Sequence, residues 1–258
     1  MNLYSRVLNN FEILKLERMH ENLPIFLESR NVKDDLVLEA LYELTEKEIL
    51  FRNERAEKIN IGISNFPYIR TIDDFDFSFQ PTVNKTQLLE LMTFKFIENK
   101  ENILFVGTSG VGKTHLATAI GIEACKKRIS TYFISCQALI HKLSKAAYEN
   151  RLDDALRQFG RYKLLIIDEI GYLPQDKQGA NLFFQLITKR YEKTSTIITT
   201  NQPFSKWGEV FGDITIANAI LDRLLHHSHI IKIAGRSYRI KDKIESVNGG
   251  DNQNRVQN

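Results

Sequence analysis

Apolar residues near the start of the chain recur every three or four positions, which is the period of an amphipathic helix. The pattern runs from Asn9 to Arg55, has charged residues between the apolar ones, and is interrupted once near Pro24. It predicts a small all-helical module over residues 1–58. Residues 59–81 contain two prolines, four phenylalanines and no helical period, so we predict a linker that packs against the following domain.

Short apolar runs alternate with longer helical patterns from residue 86 onward. Strands are predicted at residues 102–106, 131–136, 163–168, 196–200 and 229–233. Helices are predicted at residues 86–98, 113–128, 137–159, 178–191 and 216–226. Parallel strands joined by helices form a sheet that is covered on both faces. We therefore predict an α/β domain over residues 82–245 and a polar, disordered tail at residues 246–258.

The charge of the chain is unevenly distributed. The 258 residues carry a formal net charge of +3, but residues 1–75 hold 10 Lys/Arg and 14 Asp/Glu, a net charge of −4. The remaining residues therefore carry +7, which favours an anionic partner. A solvated, mildly basic surface is the alternative.

Composition argues against several classes of protein. No apolar run approaches the ~20 residues that cross a bilayer, and the first residues are charged and periodic, unlike a signal sequence. We expect a cytoplasmic protein with no membrane segment. Cys125 and Cys136 do not form a CxxC pair, which argues against a disulfide framework or a cysteine-based zinc site.

A glycine-rich segment, GTSGVGKTHLA, follows the predicted strand NILFV and opens a predicted helix. Gly107, Gly112, Lys113 and Thr114 fit the pattern G-x-x-x-x-G-K-[ST] of a phosphate-binding loop. Backbone N–H groups of such a loop surround phosphate oxygens, the lysine bridges the terminal phosphates, and the hydroxyl is a ligand for Mg²⁺. The predicted contacts with ATP are Gly107, Thr108, Ser109, Gly110, Val111, Gly112, Lys113, Thr114 and His115.

A pair of carboxylates ends the predicted strand LLIIDE. Asp168 is predicted to hold Mg²⁺ together with Thr114, and Glu169 is predicted to polarise an attacking water. Water as the acceptor favours an ATPase over a P-loop kinase for a small metabolite. The alternative for Glu169 is that it caps the following turn.

Three further polar residues are candidates for the same site. Asn201 ends the apolar strand in IITTNQP, where its amide would orient the water or contact the γ-phosphate, or mark an ordinary turn. Arg223 and Arg239 follow the sheet in sequence and are candidates to stabilise charge on the γ-phosphoryl group. For Arg223, a salt bridge with Asp222 or a nearby helix is the alternative.

Three histidines, His226, His227 and His229, form an H-H-x-H run that suggests a metal site. The run crosses from a predicted helix into a predicted strand, so we expect the rings to diverge. No carboxylate or thiol accompanies them at ligand spacing in the sequence. We therefore predict local packing of these histidines instead of a metal site.

Five blocks of the sequence together resemble the IstB-like ATP-binding family, the transposition helper ATPases of insertion sequences. The blocks are GTSGVGKTHLATAIGIEACK, LLIIDEIGYLP, TTNQPFSKWGEVFGD, DRLLHHSHIIKI and SYRIKD. The resemblance continues upstream through FDFSFQP and covers nearly the whole chain. It implies an AAA+ fold of the initiator and helicase-loader branch, with a P-loop core. The usual helical lid after the core is predicted to be reduced in this chain, because few residues follow Asn201.

The resemblance also implies roles for the site residues. These are a Walker A loop from Gly107 to Thr114, a Walker B pair at Asp168 and Glu169, sensor 1 at Asn201, an arginine finger at Arg223 and sensor 2 at Arg239. Helicase loaders usually carry a further arginine four residues before the position of Arg223. This chain has Ala219 there, so which arginine acts in trans stays open.

The function implied by the resemblance is that of a Mg²⁺-dependent ATPase that forms a homo-oligomer on duplex DNA. It would bind DNA with little sequence specificity and stimulate a partner transposase. The alternative is a loader of a replicative helicase, similar to DnaC, that acts mainly as a protein adaptor.

The DNA surface is predicted on the helix at 137–159 and its flank, with the candidates Lys142, Lys145, Arg157, Arg161 and Lys163. Asp153 and Asp154 interrupt this basic run, so an ordinary exposed helix is the alternative.

Overall fold

The computed structural model describes residues 2–30, 34–171 and 176–240. The chain divides into two compact units, Met1–Ile59 and Asn60–Asn258. The helices that begin in the first unit are α1 (Leu3–Leu14), α2 (Glu17–Arg30) and α3 (Asp34–Ile63). The first unit has a small core formed by Val7, Phe11, Leu23 and Leu38.

The interruption predicted near Pro24 is wrong. Pro24 lies inside α2, and the break between α1 and α2 falls at Lys15, which has the left-handed φ of 58°. A proline removes one hydrogen bond from a helix, but the neighbouring Leu23 is buried in the core of the unit. Burial of Leu23 therefore stabilises α2, although one backbone hydrogen bond is missing at Pro24.

The second unit is built on a parallel five-stranded sheet with the order β2-β3-β4-β1-β5. Its strands are β1 (Asn102–Gly107), β2 (Thr131–Ser135), β3 (Leu164–Ile170), β4 (Ser195–Thr200) and β5 (Ser228–Ile233). This arrangement confirms the predicted α/β fold. Because β4 lies between β1 and β3, the phosphate loop, the Asp168 carboxylate and the end of β4 meet at one edge of the sheet.

Helices cover both faces of the sheet, where two hydrophobic clusters are buried. They are α4 (Lys85–Leu91), α5 (Lys95–Glu98), α6 (Lys113–Lys126), α7 (Cys136–Tyr148), α8 (Leu152–Arg161), α9 (Lys177–Arg190), α10 (Trp207–Phe211) and α11 (Ile214–Leu225). A short 3₁₀ turn at Tyr238–Ile240 follows β5 in the described part of the chain.

Two helices predicted as continuous are each divided in two. The helix predicted at 137–159 breaks between α7 and α8, where Asn150 has a φ of 54°. The helix predicted at 86–98 breaks at Phe94, with a φ of 67°. A residue in the left-handed region stops a right-handed helix, and neither position carries the glycine that usually marks such a stop.

The segment between α3 and α4 packs along the second unit. The backbone N–H of Phe133 in β2 donates to the carbonyl of Ser64 at 2.8 Å, and the Asn65 amide donates back to the carbonyl of Phe133 at 2.9 Å. Phe75 is buried in one of the two clusters beside the sheet. The boundary predicted between residues 245 and 246, and the tail predicted after it, lie outside the described residues.

None of the helices in the described ranges is long and apolar enough to cross a membrane.

Candidate nucleotide-binding site

The predicted phosphate loop connects β1 to α6. Gly110 and Gly112 have φ values of +80° and +98°, which glycine adopts without strain. A Cβ atom on Gly107 would lie 2.2 Å from the carbonyl oxygen of Ile233 in the neighbouring strand. No side chain caps the start of α6 at Lys113. The loop therefore directs the N-terminus of a long helix, with its N–H groups, towards the space where a phosphate would bind.

Lys113 folds back across this loop. Its Nζ donates hydrogen bonds to the carbonyl oxygens of Gly107 at 2.8 Å and Thr108 at 2.7 Å. Burial lowers the pKa of Lys113, while the nearby Asp168 carboxylate raises it. The ammonium group is thus held at the mouth of the loop, where the terminal phosphates of a nucleotide would be its partners.

Thr114 and Asp168 face each other across the same edge of the sheet. The Thr114 hydroxyl lies 3.0 and 3.1 Å from the two carboxylate oxygens of Asp168, and the Thr199 hydroxyl also donates to this carboxylate. Burial raises the pKa of Asp168, whereas the hydrogen bonds from Thr199 and Thr114 lower it. A hydroxyl and a carboxylate that converge in this way are hard oxygen ligands, which fits Mg²⁺.

Glu169 leaves the regular strand geometry. It has a φ of +65°, and the pairing of β3 with β4 shifts register between Ile167 and Ile170. Its N–H donates to the Thr199 hydroxyl at 2.9 Å, which holds the bulge in place. The side chain is exposed and lines the cavity beside the phosphate loop. A bulge is a known means of aiming a side chain into a site.

Asn201 directly follows β4 and lines the same cavity. Its Oδ1 atom is buried and has no hydrogen-bond partner among the described residues. A buried polar atom without a partner is costly, and such atoms are often satisfied by a bound water or ligand. The amide oxygen is thus available to accept a hydrogen bond from a water.

The cavity has a volume of about 540 Å³, and both ends of the second unit contribute to its wall. Residues between 68 and 80 form one side, including Tyr68, Phe75 and Gln80. Phe75 packs so closely on the phosphate loop that a Cβ atom on Gly112 would lie 2.5 Å from its ring. His115 anchors the same segment, because its Nε2 lies 2.8 Å from the carbonyl oxygen of Thr71. Burial lowers the pKa of His115.

Arg239 reaches the cavity on a short segment after β5, residues 234–239, which we call the strap. The strap is fastened to the phosphate loop by a hydrogen bond of 2.9 Å from the N–H of Tyr238 to the carbonyl of Gly110. The buried Gln80 side chain donates to the carbonyl of Arg236 at 2.7 Å. Together these bonds place Arg239 in the wall of the cavity within the same chain.

Arg223 does not line this cavity. Its Nη1 donates to the carbonyl of Ala219 at 2.9 Å, and its guanidinium carbon lies 4.7 Å from the centre of the Phe184 ring. No salt bridge joins Arg223 to Asp222 in the described residues. The side chain therefore contributes nothing to the nucleotide cavity of its own chain.

The expectation that the three histidines diverge is wrong for two of them. The rings of His226 and His227 have centres 3.9 Å apart. Glu192 supplies the carboxylate that the sequence spacing did not reveal, with an oxygen 3.8 Å from His226 and 3.7 Å from His227. His229 points elsewhere and pairs with Glu101 at 2.8 Å.

The candidate DNA residues lie on α7, on α8 and just beyond it. The Lys142 ammonium is 3.1 Å from the Tyr132 hydroxyl, and Arg157 pairs with Asp154. A shallow groove beside α8 is lined by Arg157 and Arg161. Lys145 belongs to α7, and Lys163 lies two residues after the end of α8.

Two residues that contribute to the site, Thr199 and Gln80, are not predicted from the sequence. Thr199 orients both Asp168 and the backbone of Glu169, yet a threonine before the polar end of a strand has no distinctive pattern. Gln80 donates a hydrogen bond to Arg236, which is 156 residues away in the chain. The contribution of Gln80 to the site can therefore be recognised only in the folded protein.

Comparison with known proteins gives consistent matches. The family model described as IstB-like ATP binding protein matches residues 10–246. One relative, from Bacillus thuringiensis subsp. berliner, is described as an ATP-binding protein of insertion sequence IS232. The two chains are 50% identical over 247 residues, which covers 96% of this chain and 99% of that protein. A similarly described protein of IS5376 from Geobacillus stearothermophilus is 43% identical over 239 residues, covering 88% of this chain and 95% of that protein.

A crystal structure of DnaI resembles this chain in fold. The TM-score is 0.53 at 18% sequence identity, and the match covers 63% of this chain and 90% of that chain. This likeness, together with the strand order, confirms the predicted α/β fold with a parallel sheet flanked by helices.

Proposed function

Because the chain belongs to the family of IstB-like ATP-binding proteins, we propose that it hydrolyses ATP with Mg²⁺ and assembles on duplex DNA to stimulate a partner transposase. The observation that carries the hydrolytic part is the convergence of Lys113, Glu169 and Asn201 at one cavity, with Asp168 held against Thr114 in its wall. The relatives are described as insertion-sequence proteins, which supports a role in transposition.

ATP would bind with its phosphates in the loop between β1 and α6. The N–H groups at the start of α6 and the Lys113 ammonium would surround the β- and γ-phosphates. Thr114 and Asp168 would hold Mg²⁺, whose charge would offset the negative charge of the phosphates. The segment that contains Tyr68 and Phe75 would contact the rest of the nucleotide from the opposite wall.

Hydrolysis would use a water between Glu169 and the γ-phosphorus. Glu169 accepts a proton from this water, the water oxygen forms a bond to the γ-phosphorus, and the bond from that phosphorus to the bridging oxygen of ADP breaks. Asn201 would orient the water through its unpartnered Oδ1. Arg239 would stabilise charge on the γ-phosphoryl group from the strap.

In a homo-oligomer, a neighbouring copy would supply a further positive charge, the guanidinium group of Arg223. Arg223 lies outside the cavity of its own chain, which supports the proposal that it completes the site of a neighbouring copy. The basic residues of α7 and α8 would contact DNA phosphates, which gives affinity with little sequence preference.

A mixing experiment tests this arrangement. Arg223→Ala lacks the finger but has an intact site, whereas Glu169→Gln has the finger but an inactive site. We expect each variant alone to be nearly inactive and a mixture of the two, with duplex DNA, to recover part of the ATPase rate. A mixture no more active than its separate components would contradict a trans-acting Arg223.

A further inference from the structure

A cluster of three metal-ligating side chains lies apart from the nucleotide cavity. Glu192 belongs to the turn after α9, His226 is the C-cap residue of α11, and His227 follows it. The ligand atoms of the three side chains all lie within 4.8 Å of one another. We infer that Glu192, His226 and His227 form a binding site for a divalent transition-metal cation of the Zn²⁺ class. This inference does not depend on ATP hydrolysis.

The distances fit a tetrahedral site after small side-chain movements. A zinc ion with bonds of about 2.0–2.1 Å has neighbouring ligand atoms roughly 3.3–3.4 Å apart. The Glu192 oxygen lies 3.8 Å from His226 Nδ1 and 3.7 Å from His227 Nε2. These two pairs therefore need to approach by a few tenths of an ångström. The ring centres at 3.9 Å require a rotation of one imidazole, so that both nitrogen lone pairs point at one ion.

The surroundings permit this rotation and favour a cation. All three side chains are about half exposed, which leaves room for this rotation and lets a metal ion reach them from solvent. Two imidazoles and one carboxylate are the ligand set of several zinc sites, with water in the fourth position. Imidazole ligands select Zn²⁺, Ni²⁺ or Co²⁺ over Mg²⁺. The C-terminal end of α11 also carries partial negative charge, which attracts a cation.

Tyr191 is a competitor for one ligand atom. Its hydroxyl lies 2.7 Å from His226 Nδ1, which a metal ion would need. Removing the hydroxyl should therefore leave cation binding intact or strengthen it. This expectation separates a metal site from a hydrogen-bonded cluster, which would lose a partner in the same variant.

A bound cation would tie the end of α11 to the turn after α9. These elements are far apart in sequence, and α11 carries Arg223. A ligand that binds only the folded protein raises its stability in proportion to the logarithm of the ligand concentration. The site would thus stiffen the helix that presents the proposed arginine finger.

The test is a titration of the full chain with ZnCl₂ by isothermal calorimetry, in a buffer free of chelators. We expect one ion per chain for the wild type. Glu192→Gln and His227→Gln should weaken binding by about tenfold or more. The matched control is His229→Gln, since His229 is part of the same H-H-x-H run but pairs with Glu101. Both His229→Gln and Tyr191→Phe should bind like the wild type or more tightly.

Three outcomes would overturn the inference. The wild type binds no zinc, or Glu192→Gln and His227→Gln bind as well as the wild type, or His229→Gln loses binding to the same extent as they do. Circular dichroism of each variant checks that it is folded. Co²⁺ in place of Zn²⁺ gives a second readout, because tetrahedral coordination by the wild type should produce strong visible absorption that Glu192→Gln lacks.

Discussion

The Thr114 hydroxyl lies 3.0 and 3.1 Å from the two oxygens of the Asp168 carboxylate, although 54 residues separate them in the chain. Thr114 lies in the first turn of α6, directly after the phosphate loop. Asp168 lies near the end of β3, which is separated from β1, the strand before the loop, by β4. Their contact brings the two halves of the proposed magnesium site together. The remaining site residues are arranged around this pair.

Asn201→Ala should reduce ATP turnover without reducing stability. The Asn201 Oδ1 atom is buried and unpartnered among the described residues, so its removal breaks no hydrogen bond that stabilises the fold. We expect kcat to fall about tenfold or more while KM changes little. The free energy of unfolding in urea should stay within about 0.5 kcal/mol of the wild type. A loss of stability without a loss of kcat would show that Asn201 only shapes the turn.

Gln80→Ala should weaken the site through the strap. The variant removes the donor to the Arg236 carbonyl, which loosens the segment that carries Arg239. We expect a fall in ATPase rate that Arg239→Ala reproduces, with the double variant no worse than Arg239→Ala alone. Gln137→Ala, at an exposed position on α7, is the surface control. Additive losses in the double variant would contradict a shared mechanism.

Arg190 should be essential for stability. It is 2% exposed and donates to the Thr196 hydroxyl and to the carbonyls of Phe159, Tyr162 and Ser195. Arg190→Ala leaves these buried acceptors unpaired and opens a cavity. We expect a loss of about 3–5 kcal/mol in the free energy of unfolding, measured with urea. A loss below about 1 kcal/mol would show that water or neighbouring side chains replace the guanidinium.

Both cysteines should be unreactive in the folded protein. Cys136 begins α7, a position that lowers a thiol pKa, but burial dominates and raises the pKa of Cys136 to about 12. Burial also raises the pKa of Cys125, with an opposing effect from a hydrogen bond to Ser64. At pH 8 we expect a thiol reagent such as DTNB to react with neither cysteine rapidly, and with both after unfolding in urea. Rapid reaction of a folded sample would contradict this burial.

The parts of the fold that the sequence predicted are those encoded in contiguous residues. The apolar strands around Ile103 and Ile166 are buried at 0% exposure, so their hydrophobic runs were sufficient signals. The phosphate loop was predictable because its glycines, lysine and threonine have fixed spacing. Helix breaks at Phe94 and Asn150 were missed, because a non-glycine residue in the left-handed region leaves no pattern in the sequence.

The parts that were missed depend on contacts between distant segments. Glu192 and His226 are separated by 34 positions, and no periodicity relates a turn to the end of a later helix. The contact between Gln80 and Arg236 spans 156 residues. Such pairs exist only after the sheet order and the path of the chain around it are known. The sequence alone therefore gave the residues of the phosphate loop but not the strap that completes the cavity.

We propose that this chain hydrolyses ATP through Glu169 and does so in assemblies on duplex DNA. The most direct test is the ATPase rate at increasing protein concentration, with and without duplex DNA, for the wild type, Glu169→Gln and the surface control Glu209→Gln. We predict a cooperative, DNA-stimulated rate for the wild type and the control. Glu169→Gln should lose at least about 10²-fold in rate yet form large DNA complexes with ATP. A wild-type rate independent of concentration and DNA, or an active Glu169→Gln, would contradict the account.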